Sequence, residues 1–162
     1  MARNGNFNFF FLKESPFSNW YPATFTVKGI TFCCVEPFMM YCKARLFGDL
    51  ITVAKIMGTL DPSRHKALGR EVRGFNQEVW DANIEKYVFI GCYEKFNQNP
   101  ESKRLLLDTN GTILVEASPY DLIWGACLSE TDPRILDQTR WRGRNRLGFI
   151  LVQVRERLSW GS

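Results

Sequence analysis

The chain has 162 residues, 45% of them hydrophobic and 14% aromatic, and a formal net charge of +4. This size and apolar content suit one globular domain with a buried core, and no shift of composition divides it, so a single domain over residues 1–162 is expected. Five cysteines without CxxC spacing and one histidine, His65, argue against a zinc site or a disulfide scaffold and point to a reducing cytoplasm. Residues 1–20 carry no signal-peptide pattern, and no segment reaches the roughly 18 apolar residues that a membrane span needs.

Phe7, Phe9 and Phe11 alternate with Asn8 and Phe10, which predicts a short, largely buried strand. The stretch KESPFSNWYP is a loop: two prolines bracket it, and Ser15, Ser18 and Asn19 supply turn chemistry. Because it also holds Phe17, Trp20 and Tyr21, it either plugs its own core or walls a pocket. TFTVKGITFCC reads as a hairpin turning at Lys28 and Gly29.

EPFMMYCKARLFGD, residues 36–49, predicts a helix in which Pro37 sits where its missing N–H is harmless. Glu36, Met39, Met40, Lys43 and Phe47 share roughly one face, with Glu36 and Lys43 about two turns, or roughly 10 Å, apart. Two readings fit that spacing. An acid and an amine reach inward together, or Glu36 complements the helix start while Lys43 snorkels to water.

Helix continues over residues 50–57, Gly58 interrupts it, and Asp61 with Pro62 opens another that places His65 on a helix surface. A longer helix is predicted over residues 76–97, with Val79, Trp80, Asn83, Ile84, Tyr87, Val88 and Cys92 near one stripe. After Pro100 one or two further turns lead to a tight turn at Asn110 and Gly111. TILVEAS predicts a strand with Ile113 and Val115 on one face, and Leu114 and Glu116 on the other. SPYDLIWGACL is a loop, and a short helix opens at Asp132 and Pro133 and reaches about Gln138. Apolar residues at 147, 150, 151, 154 and 158 mark a final amphipathic helix capped by Asn145. The sum is α+β, a mainly helical chain with a few short strands.

Trp20, Trp80, Trp124 and Trp141 each lie near an amide or carboxylate: Asn19, Asp81, Asp121 and Asn145. If these segments converge they form a flat-walled pocket with a polar edge, suited to a planar heterocycle; if not, they are boundary tryptophans of an ordinary core. Arg140, Arg142, Arg144 and Arg146 alternate either as a phosphate-binding stretch or as a solvated face. With no GxxxxGK[ST] or GxGxxG loop, neither an NTPase nor a dinucleotide-dependent redox enzyme finds support. A single histidine is poor material for a Ser-His-Asp or Cys-His arrangement. The remaining inventory is Glu36, Glu116 and Asp121 in apolar or aromatic surroundings, with Lys43, and it fits glycoside-type hydrolysis.

Taken together, SPFSNWYP, the Glu36 segment, LGREV, LVEASPYDLIWG and WRGRNRLG resemble the NADAR family, also called YbiA-like, from about Phe9 to Leu158. The resemblance implies a YbiA-like α+β domain and an N-glycosidase that needs neither cofactor nor metal. It implies a substrate joining a heterocyclic amine to a phosphorylated ribose. Two such substrates are a ribosylaminopyrimidine phosphate of riboflavin biosynthesis and an ADP-ribosyl group on guanine in nucleic acid. By motif position Glu36, Lys43 and Asp121 become the catalytic candidates. Asn19, Trp20, Trp80, Glu116, Trp124 and Asn145 become the substrate-binding ones, with Arg142 and Arg144 expected to hold the phosphate. Family members commonly carry histidine directly after the motif glutamate, where this chain has Pro37, so that histidine is not essential here. The same departure keeps open a non-catalytic module that binds ADP-ribose or a related nucleotide.

Overall fold

The computed structural model describes residues 2–4 and 6–161, the first three as backbone alone. The elements are β1 (Ala2–Asn4), β2 (Phe7–Phe10), β3 (Phe25–Val27), β4 (Ile30–Phe32), α1 (Val35–Leu46), α2 (Leu50–Met57), α3 (Pro62–Gly69), α4 (Gln77–Gln98), α5 (Pro100–Leu107), β5 (Ile113–Glu116) and α6 (Arg146–Ser159). The architecture is α+β, as the periodicity predicts. Two 3-10 helices, Pro133–Leu136 and Gln138–Arg140, replace the single short helix expected after Asp132. Each is opened by an aspartate side chain, Asp132 or Asp137, that accepts a backbone N–H two residues on. No helix among the described residues is long and apolar enough to cross a membrane. Contacts group the chain into two compact units, residues up to 21 with those from 100 onward, and residues 22–99.

In the first unit β2 is the middle strand, antiparallel to β1 and parallel to β5. Phe9 lies opposite Val115, and Phe10 opposite Glu116. Phe9, Val115, Ala117, Ala126, Leu128 and Ile135 form a buried cluster against which Phe7, Ile113 and Trp141 pack. Trp141 donates its indole N–H to the Ile135 carbonyl at 2.8 Å, so it fills core and is satisfied there. α6 packs on β5 so closely that a Cβ on Gly148 would run into the Leu114 carbonyl and the Asn145 side chain.

In the second unit β3 and β4 form the expected hairpin, and its turn residues Lys28 and Gly29 both have positive φ. Phe25, Phe32 and Phe38 pack with ring centroids 5.2–5.8 Å apart. α1 lies against α2, α3 and α4, and Gly91 on α4 leaves the room that Val35 and Phe38 occupy. Helix does not run on from α1 into α2. Gly48 at φ 72 ends the first helix, and Asp49 caps the second by accepting the Thr52 N–H at 3.0 Å.

Two burial expectations are corrected. His65 is not at the surface: it is 1% exposed, because α3 packs on α1 and α2, and its Nε2 lies 2.8 Å from the Thr59 carbonyl. On α4 the expected stripe holds at Trp80, Val88 and Cys92, which are buried, but Val79 is 41% exposed and the stripe extends to Lys95 and Phe96.

Candidate functional site

α1 carries the first group of candidate residues. Glu36 is its second residue and is only 8% exposed. Pro37 is the third, also buried, in the first turn, where backbone N–H groups have no helical partner. Lys43 follows on the same face, half-buried, with Nζ 4.6 Å from the Phe75 ring centroid and 5.7 Å from that of Trp80. These are cation–π distances. Phe47 props Phe75 edge-on at 5.4 Å, and Tyr87 stacks on Trp80 at 6.0 Å.

Burial holds the Lys43 ammonium below its ordinary pKa, the Arg70 charge pushes the same way, and Glu36 opposes both. A larger share of Lys43 is therefore free amine than on an ordinary surface lysine. The sequence reading missed Phe75 and Arg70; for Arg70 the signal is the LGREV motif, where Gly69 makes room for the Met40 side chain and Arg70 ends α3, while Phe75 lies three residues beyond that motif. Arg73 beyond it donates its N–H to Asp49 at 2.9 Å. Three hydrogen bonds from Arg73 and Thr52 hold the Asp49 carboxyl down at about 2.

The second group lies in the unit that contains β5. Glu116 ends that strand, and its Oε2 is buried without a hydrogen-bond partner among the described residues. Burial, helped by the neighbouring Asp121 charge, pushes the Glu116 carboxyl up to about 7. Asp121 folds its own loop, accepting the Ile123 and Trp124 N–H groups at 2.9 and 2.8 Å. That loop is laced to the WRGRNRLG segment by backbone hydrogen bonds: Arg144 to Leu122, Asn145 to Gly125, Arg146 to Ile123 and Leu147 to Trp124. Gly143 is required at this approach, since a Cβ there would meet the Gly125 and Asp121 carbonyls. Arg142 and Arg144 stay exposed on the same segment.

Asn145 is not a side-chain helix cap. At φ 49 it is fully buried, and its amide reaches β5, accepting the Glu116 N–H and donating to the Leu114 carbonyl, both at 3.0 Å. Both ends of the amide are engaged by the strand, so its task is to position Glu116; substrate contact is not where its polar atoms go. Asn19 and Trp20 belong to this unit too, in a loop where Phe17 is the buried plug against Phe10 while both neighbours stay half-buried.

The structure thus brings Glu36, Lys43 and Trp80 together on one side of α1. It separately brings Glu116, Asp121, Trp124 and Asn145 together around the end of β5. Among the described residues no group of three or more His, Cys, Asp or Glu side chains is arranged to hold a metal ion.

The chain is 36% identical over 168 residues to Protein irg-1 of Caenorhabditis elegans, covering 94% of this chain and 79% of that protein. It is 39% identical over 145 residues to N-glycosidase R617 of Acanthamoeba polyphaga mimivirus, covering 86% and 85%. The NMR structure of Escherichia coli YbiA superposes with a TM-score of 0.80 at 24% identity, over 99% of this chain and 89% of that one, and so shares the fold. The NADAR domain model matches residues 9–159, and the chain belongs to the NADAR family.

Proposed function

We propose that this protein hydrolyses an N-glycosidic bond between a phosphorylated ribose and a heterocyclic amine. The observation that carries the reading is Lys43, an amine held among Phe75 and Trp80 with its protonation disfavoured and the buried Glu36 on its own helix face. The similarity to a protein named N-glycosidase supports it. When the ribose ring opens, the glycosyl carbon becomes an iminium carbon. The Lys43 amine adds there, a proton moves to the departing nitrogen, and the heterocyclic amine leaves. Water then adds to the Lys43 iminium, and the carbinolamine collapses to the ribose aldehyde and free lysine. Glu36 moves the protons. By motif position Asp121 is the candidate to stabilise positive charge or orient the water, Glu116 is a further proton-carrying candidate, and Arg142 and Arg144 are the candidates for the phosphate.

A ribosylaminopyrimidine phosphate is the substrate class to try first, with ribose 5-phosphate as the expected product. Its absence with the folded protein would overturn the reading. Borohydride added during turnover traps a covalent adduct on Lys43, identified by peptide mass spectrometry. Normal turnover by Lys43→Arg, which keeps the charge and removes the nucleophile, would exclude the covalent step. Glu36→Gln lowers kcat by roughly 10²–10⁴-fold if it moves the protons.

The exposed Arg140, Arg142 and Arg144 favour a second substrate, ADP-ribosyl-guanine in nucleic acid, whose several phosphates a basic stretch meets. Mass spectrometry of an ADP-ribosylated oligonucleotide before and after treatment separates the two substrates. Calorimetric binding of ADP-ribose without turnover of either would point to the non-catalytic module instead.

A further inference from the structure

α1 has a second face. Tyr41, Cys42 and Arg45 follow Phe38 at three, four and seven residues, on the side of the helix away from Glu36, Met40, Lys43 and Phe47. There the helix, the β3–β4 hairpin and α4 line a half-open cavity of about 390 Å³ walled by Phe32, Phe38, Tyr41 and Tyr87 and edged by Lys28 and Arg45. None of the residues lining it is acidic. Lys28 and Arg45 are exposed, and neither has an ion-pair partner among the described residues.

We propose that this cavity is a binding site for a small planar aromatic anion, a molecule with one or two rings and a single carboxylate, phosphate or sulfonate group. The walls decide the first half of that description. Phe32 stands edge-on to both Phe38 and Tyr41, at 5.2 and 5.3 Å, so these rings pack on one another into a continuous aromatic wall against which a flat ring can lie. The rim decides the second half. Two unpaired cations at the mouth of an apolar recess favour an anionic group left at the water boundary, and Lys86 adds a third positive charge close to Cys42. The volume falls in the range of small-molecule pockets, roughly 300–1,000 Å³. A protein partner needs far more surface, about 800 Å² on each side.

The site is distinct from the Glu36 and Lys43 face yet adjoins it through aromatic contacts. Tyr87 lines the cavity and stacks on Trp80, over which the Lys43 ammonium lies. An occupant that shifts Tyr87 therefore presses on Trp80, one of the two rings beside Lys43.

The test uses naphthalene-1-sulfonate, a planar two-ring aromatic sulfonate, titrated into the folded protein. Saturable binding of one probe per chain is expected, with NMR shifts at Tyr41 and Tyr87 and no displacement by saturating ribose 5-phosphate. The double variant Lys28→Ala with Arg45→Ala weakens binding by about five- to ten-fold, as loss of two surface charge contacts should. The charge-matched Lys55→Ala with Lys66→Ala, both exposed and elsewhere, leaves it unchanged. Circular dichroism checks that both variants fold. Absence of saturable binding, equal weakening in the two double variants, or displacement by ribose 5-phosphate would overturn the proposal. So would a self-association that the probe dissolves, which would assign the cavity to a second copy of the chain. The readout is binding, so its outcome does not depend on whether the N-glycosidase reading holds.

Discussion

Lys43 sits between charges of opposite sign, and the two can be removed separately. Arg70 disfavours its protonation and Glu36 favours it. Arg70→Met therefore raises the Lys43 pKa, and if free amine limits turnover, the acidic limb of the pH–rate profile moves to higher pH by up to about one unit. Glu36→Gln moves that limb to lower pH while lowering its plateau. A profile unmoved by Arg70→Met would show that Lys43 titration does not limit the rate. Glu116 makes the matching statement about stability. Its carboxyl rises from an ordinary 4.5 to about 7 in the folded chain, so between those pH values the folded state holds a proton that the unfolded state has lost. Its contribution is whole below 4.5 and disappears as pH rises through 7. Glu116→Gln keeps the neutral shape, so denaturant unfolding should show the variant gaining on the parent by roughly 2–3 kcal/mol between pH 5 and pH 8. A constant difference across that range would mean that Glu116 is already ionised.

At the level of elements, the end of β5, the Asp121 loop and the start of α6 behave as one construction. The strand supplies Glu116, Asn145 holds the strand backbone at both Leu114 and Glu116, and four backbone hydrogen bonds tie residues 144–147 to the loop. Glycines make this approach possible. Gly148→Ala drives a methyl into the Leu114 carbonyl and the Asn145 amide, with backbone on one side and a doubly bonded side chain on the other. Neither can give way cheaply, so a loss of about 3 kcal/mol or more in unfolding free energy is expected. Gly161→Ala, which meets nothing within 4 Å, should change stability by less than about 0.5 kcal/mol. The LVEASPYDLIWG and WRGRNRLG phrases thus occur together because they are bonded together. The resemblance linked them by order along the chain, and the bonding supplies the physical cause.

Across the whole molecule the charge of +4, with Arg142 and Arg144 exposed, favours an anionic substrate. Raising salt from roughly 20 to 300 mM should raise KM several-fold and leave kcat nearly unchanged, because screening weakens capture and not the buried chemistry. A KM indifferent to salt would remove the arginines from the substrate's path. Periodicity by itself determined the hairpin at Lys28 and Gly29, the α1 face bearing Glu36 and Lys43, the β5 strand and the α6 stripe, since each is set by neighbours a few residues apart. Tertiary structure decided the rest. His65 is buried because α3 meets α1 and α2, and Asn145 turns from its helix to the backbone of a strand 29 and 31 residues earlier. Phe75, exposed at 41% in an irregular segment, becomes a wall for Lys43 only because the chain folds back over α1. The parallel pairing of β2 with β5 joins residues more than a hundred positions apart. Local propensity cannot encode such partners, because the free energy that selects them is released only when distant apolar surfaces and buried polar groups meet.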